Sequence, residues 1–257
     1  EDPITVTYLY EYVPQKAVVQ YVDDDADGAV VLTDDSTAVP GLTGAAGTRF
    51  DYGNAYTQDI TGLTAKGYVV VASKAADALP SNNIVIFDSD DATDQTYTVH
   101  LKHNITTAEV SRTITQTIQY VYAEGGKVQA DHVDAVTFTA TSTTDDVVAA
   151  EIANAKATIT DPDQLAAALA KLGDATTVGK WTAKKGSSTY TMPFSFVKVT
   201  DPSVAGYTND HPADQQYVDQ MTVDPDVNGD ANILLTVTYT ADAQKALVYH
   251  VDDEAKG

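Results

Sequence analysis

Fourteen residues of this chain occur twice, and that repetition limits its possible folds more than any other feature. Gln15–Gly28 reads QKAVVQYVDDDADG and Gln244–Gly257 reads QKALVYHVDDEAKG; nine of the fourteen positions are identical without a gap. The approach to each copy also returns, as Thr5-Val6-Thr7-Tyr8 before the first and Thr236-Val237-Thr238-Tyr239 before the second. From position 15 to position 244 the offset is 229 residues. Solenoid repeats run about 20–50 residues, so a unit of this length must hold whole domains with cores of their own. The chain reads as a segment of a tandem array. Residues 1–14 end a preceding unit, 15–104 form a first domain, 105–243 a second, and 244–257 begin the next unit.

Composition narrows the function classes. The apolar share is 43%, enough for real cores and too high for disorder. Net charge is −22, from 37 acidic against 15 basic residues. Such a surface repels nucleic acid and anionic lipid, which excludes both as partners. Long-range attraction to sulfated or sialylated glycans is excluded too, so any sugar contact must be short-ranged. No apolar run approaches the ~20 residues needed to span a bilayer. The chain has no cysteine, so nothing but packing holds the domains, as is usual for surface proteins of Gram-positive bacteria and equally compatible with the cytosol.

Along the chain, the patterns predict an α+β architecture. Residues 4–12 (ITVTYLYEY) alternate strictly and predict a half-buried strand with Ile4, Val6, Tyr8, Tyr10 and Tyr12 on one packing face. Ala17–Val22 predicts the first strand of the unit, followed by the acidic turn Asp23–Gly28 and a strand over Ala29–Thr33. Ile60 and Leu63 share helical spacing, so Tyr56–Lys66 predicts a short helix ended by Gly67. Strands follow at Tyr68–Ala72, Ile84–Phe87 and Thr96–Lys102, with an acidic turn at Asp88–Asp94. This order suggests a β-grasp, a mixed sheet with one helix across a single face. Arg112–Tyr122 and Val136–Thr141 predict further strands around the turn Glu124–Lys127. Val147–Thr160 fits strand by its β-branched end and helix by its alanines. Asp161–Gly173 predicts a helix, with Asp161 as cap, Pro162 in the first turn, and Leu165, Leu169 and Leu172 as its stripe. Thr189–Thr200, Tyr217–Val223 and Ile233–Tyr239 complete a second, mostly antiparallel sheet, giving two domains in series joined near residue 104.

Several blocks, in order, resemble the long repeats of the lactobacillar mucus-binding proteins. They are QKAVVQYVDDDADG, IVIFDSDDATDQTYTVHLKH (84–103), RTITQTIQYVY with VTFTAT, Trp181, SVAGYT (203–208) and TVTYTADAQKA (236–246). The resemblance covers nearly all of residues 15–257, and the helix Asp161–Gly173 with its flanks departs from it. It implies two tandem β-grasp (ubiquitin-like) modules in an elongated repeat. It also implies an extracellular adhesin anchored to the cell wall of a Gram-positive bacterium, with host mucin glycans as ligand. Immunoglobulin binding is the alternative that the resemblance offers, and a stalk spacer without ligand is another. It carries no residue-level sugar site.

The residues themselves offer few sites. Catalysis finds no support: there is no cysteine and no GxSxG, and the five histidines show neither metal nor triad spacing. Asp23-x-Asp25-x-Asp27-Gly28, with Asp34 at the twelfth position, matches the carboxylate spacing of a calcium loop. Against calcium stand strands rather than helices on its flanks, and a lysine in the echo at the place of Asp27. Asp224-x-Asp226-x-Asn228-Gly229 matches the first half only. Tyr190, Tyr207 and Trp181 are the candidates for stacking on a sugar ring, weighed against a packing role that suits Trp181 best. Exposed sheet edges could also accept a partner's strand.

Overall fold

The computed structural model describes residues 3–72, 77–90, 92–229 and 231–250. It forms two compact units. One contains the residues up to Thr107 together with Thr143–Thr177; the other contains Ala108–Ser142 together with the residues from Val178 onward.

The first unit is built on β1 (Gln15–Asp23), β2 (Ala29–Asp34), α1 (Gly53–Ala65), β3 (Tyr68–Val71) and β4 (Gln95–His103). The strand order is β2–β1–β4–β3. β1 pairs antiparallel with β2 and parallel with β4, from Ala17↔Gln95 to Asp23↔Leu101. Its alternation buries Ala17, Val19 and Tyr21 on one face. Leu42, Tyr52, Leu63, Val85 and Leu101 complete that core. α1 begins three residues before the expected Tyr56, because Gly53 and Asn54 continue the turn that Tyr52 opens. It stops at Gly67, whose φ of +92° only glycine adopts readily.

Two further helices belong to this unit. α2 (Asp146–Thr158) resolves the segment whose pattern fitted either state. Asp145 decides it as N-cap: its Oδ1 accepts from the amides of Val147 and Val148 at 3.0 and 3.1 Å. Val147 then enters the first core. Extended backbone at Ile159 ends the helix, and the β-branched tail is its exit. α3 (Pro162–Leu172) follows, with Asp161 capping Gln164 at 2.9 Å and Gly173 closing it at φ +74°. This helix pair was expected within residues 105–243; contacts assign it to the first unit.

The second unit carries β5 (Ile105–Tyr122), β6 (His132–Asp145), β7 (Thr182–Lys185), β8 (Ser188–Tyr190), β9 (Tyr207–Asn209) and β10 (Ile233–Ala241), in the order β8–β7–β6–β5–β10–β9. The first residues of β5 and the last of β6 fall within the other unit. β10 runs parallel to β5, from Ile233↔Gln116 to Tyr239↔Tyr122. Ile114, Phe138, Trp181, Ala183 and Phe196 form one apolar cluster. Ile118, Tyr120, Val237 and Tyr239 form another.

Residues 4–12 correct an expectation. They contain no strand, and their apolar side chains are exposed, Tyr10 by 89%. A strand persists only where a neighbour takes its backbone hydrogen bonds. The matching segment Thr236–Tyr239 lies between β5 and β9; residues 3–14 pair with no strand among the described residues. The echo beyond His250, and Asp91 in the turn Asp88–Asp94, lie outside the described residues.

Two glycines give a graded test. Gly28 has φ +75° and open space around its Cα, so Gly28→Ala bears only the left-handed backbone cost, on the order of 1 kcal/mol. A Cβ at Gly67 would in addition collide with the backbone of Asp146 and Val147. Gly67→Ala is therefore expected to cost at least about twice as much, read as the larger drop in denaturant midpoint. Equal midpoints for the two variants would contradict the packing of α2 described here.

Candidate functional site

The acidic turn is built from capping and ion pairing. Asp23 Oδ1 accepts from the amide of Asp25 at 2.9 Å, and Asp23 Oδ2 lies 3.0 Å from His103 Nε2. Asp25 Oδ2 accepts from the His103 amide at 2.7 Å, and Asp24 Oδ1 contacts His100 Nδ1 at 2.7 Å. Asp27 supplies the left-handed turn residue, at φ 55°. Asp34 is elsewhere. It pairs with Val19, four residues along β1 from Asp23 and hence about 13 Å away. There its Oδ2 accepts from the Tyr52 hydroxyl at 2.7 Å, in a buried group with Tyr21 and Asp59. Burial and the neighbouring Asp59 carboxylate hold Asp34 above the usual carboxylate range. The structure thus brings Asp23, Asp25 and Asp27 into one turn and separates Asp34 from them. Among the described residues no group of three or more His, Cys, Asp or Glu side chains converges as metal ligands do.

The second acidic turn is also structural. Asp224 caps the short helix α4 (Pro225–Asn228), and Asp226 Oδ1 accepts from Trp181 Nε1 at 2.7 Å. Trp181 is a core residue, 6% exposed. The Arg112 guanidinium lies 5.0 Å from its ring centre. With its N–H bonded and its ring in the core, it offers no free face to a sugar.

The two tyrosines stand at cavities. Tyr190, 41% exposed, packs edge-on to Phe194 beside a groove of about 270 Å³ that the ion pair Lys185–Asp134 also borders. Tyr207 lines a cavity of about 480 Å³, its ring held against Tyr122 at 4.8 Å. Asp201, Asn209 and His211 share that cavity, and Tyr239 fixes its wall by donating to the Pro202 carbonyl at 2.6 Å. Asp201 accepts from His211 Nδ1 at 2.6 Å through a side chain that is 1% exposed. Sequence reasoning found Tyr207 and missed this polar group, whose members fall on separate short loops with no common spacing.

It also missed the knot around His103. Asp145 Oδ2 lies 2.6 Å from Nδ1 and Asp23 Oδ2 lies 3.0 Å from Nε2, so both ring nitrogens face carboxylates. Two carboxylates can only accept, so this geometry favours the imidazolium. Burial of the ring opposes the charge, but the bonds to Asp145 and Asp23 outweigh it and raise the His103 pKa. For Asp145, burial is outweighed by His103 and the α2 amides, which lower its pKa.

Comparison with known proteins follows the same span. The chain matches a family model described as a mucin binding domain over residues 15–103 and one described as a Muc B2-like domain over residues 105–243. It is similar to the crystal structure of Mub-RV, at 28% identity and a TM-score of 0.56, over 89% of this chain and all of that one. It is also similar to a type 2 repeat of the mucus binding protein MUB from Lactobacillus reuteri, at 26% identity, TM-score 0.47, over 89% of this chain and all of that one. No curated protein matches.

The knot predicts a pH optimum for stability. The His103 contribution is complete below the ordinary imidazole range, about 6.5, and is lost as pH rises through the raised folded value. The Asp145 contribution is complete above the ordinary carboxylate range, about 3.9, and is lost as pH falls through the lowered folded value. The first unit should thus hold best between these limits. Urea melts from pH 5 to 9 should show wild type losing on the order of 1–2 kcal/mol on the alkaline side and His103→Gln losing much less. Parallel profiles for the two proteins would rule out the knot as their source.

Proposed function

The chain belongs to the mucus-binding repeat family, as a mucin binding domain followed by a Muc B2-like domain, and from that premise we propose that it is one repeat of a bacterial surface adhesin that holds mucin glycans. One observation carries the reading. The matched span runs from residue 15 to residue 243, and the echo of Gln15 restarts at Gln244. Family unit and internal period coincide, so ligand contacts recur along an array.

Each unit folds as a β-grasp in this reading. The parallel pairing of β1 with β4, and of β5 with β10, places the first and last strands of each unit side by side. The parent protein is extracellular and held to the cell wall. Sites are weak singly and gain by multivalency. No catalytic role is assigned to the repeat. No helix among the described residues is long and apolar enough to cross a membrane.

The test compares this chain with a two-repeat fusion joined at the 229-residue period, on immobilised mucin, with polyclonal immunoglobulin on a parallel surface. The fusion should bind mucin more tightly, by on the order of a hundredfold, and periodate oxidation of the mucin should remove the signal. Silence of both proteins on mucin would defeat the adhesin reading; binding to immunoglobulin alone would replace it.

A further inference from the structure

This inference rests on the adhesin reading and assigns it a ligand class. Asp201 and Asn209 line the Tyr207 cavity, and each is more than nine-tenths buried. Asp201 Oδ2 is engaged twice, by His211 Nδ1 at 2.6 Å and Asn209 Nδ2 at 3.2 Å. A carboxylate that receives two N–H donors is ionised, and it turns the Asn209 amide so that Nδ2 faces it. Asp201 Oδ1 and Asn209 Oδ1 then remain as buried acceptors without a partner among the described residues. Buried acceptors in folded proteins are nearly always paired, so two together mark a place where a ligand supplies the donors.

The surroundings restrict that ligand. Tyr207 contributes an aromatic wall to the same cavity, and Ser203 and Thr208 add hydroxyls. An apolar ring edge beside directional acceptors matches a sugar ring, whose C–H face packs on an aromatic while its hydroxyls donate. The ionised Asp201, in a chain of net charge −22, repels a carboxylate or sulfate placed next to it. We propose that the Tyr207 cavity binds an uncharged sugar through two neighbouring hydroxyls that donate to Asp201 Oδ1 and Asn209 Oδ1. The two acceptors are shielded from bulk water, so those bonds face little competition.

The full chain is titrated with methyl galactoside, N-acetylgalactosamine and N-acetylneuraminic acid, with backbone and side-chain NMR shifts as the readout. Shifts centred on Asp201, Thr208, Asn209 and His211 with the uncharged sugars are expected, and at least a tenfold weakening in Tyr207→Ala. Tyr190→Ala should bind as wild type does. Tighter binding of N-acetylneuraminic acid, shifts confined to other residues, or an unchanged Tyr207→Ala would each overturn the proposal. Shift mapping on the wild type needs no variant to fold. Mucin binding that survives in Tyr207→Ala removes this site and leaves the adhesin reading intact. Sugar shifts at this cavity, without mucin binding by the chain or its array, would have the reverse meaning.

Discussion

Both sheets are closed by parallel pairing between strands far apart in sequence. β1 meets β4 across some seventy residues, and β5 meets β10 across more than a hundred. Parallel neighbours cannot be joined by a hairpin, so everything between them must pass over the sheet before the core shuts. That explains where α1 lies and why Val19, Tyr21 and Leu101 share one core. It explains the place of Val237 and Tyr239 beside Ile118 and Tyr120 in the other. Folding of each unit waits on a non-local contact, which is intrinsically slow.

The excess of acid is put to local use. Asp23, Asp145, Asp161 and Asp224 each cap a helical turn, and Asp35, Asp51 and Asp90 accept backbone amides in loops. A short acceptor side chain satisfies the amides that a turn leaves free. Carboxylate spacing that resembles a metal loop on paper is, in this chain, turn chemistry, and the two turns of that spacing both end in caps. His103 and His211 each sit against buried or half-buried carboxylates, so the few cations are placed where the negative charge is densest.

Much of the fold was legible because its signals are local. The alternation in Ala17–Val22 and Ile114–Tyr122, and the cap, proline and leucines of α3, each depend on residues within one turn or one strand. The failures share a cause. Residues 4–12 have a flawless strand pattern, but pattern supplies no partner, and without one the backbone groups stay in water. Val147–Thr160 was undecidable by periodicity and was settled by a single cap, Asp145, together with the burial of Val147. At the candidate sites, Tyr207 was visible as an isolated tyrosine, whereas its company was not.

The sequence by itself determined the period, the strand faces, the caps and the sign of the surface, because all of these follow from neighbouring side chains and from charge. Only the tertiary structure decided which carboxylates meet. It carried Asp34 away from Asp23 along β1, set Asp145 against His103 across forty-two residues, and gathered Asp201, Asn209 and His211 around one cavity. Strand register and loop closure made those choices, and neither is encoded in the spacing of the residues they bring together.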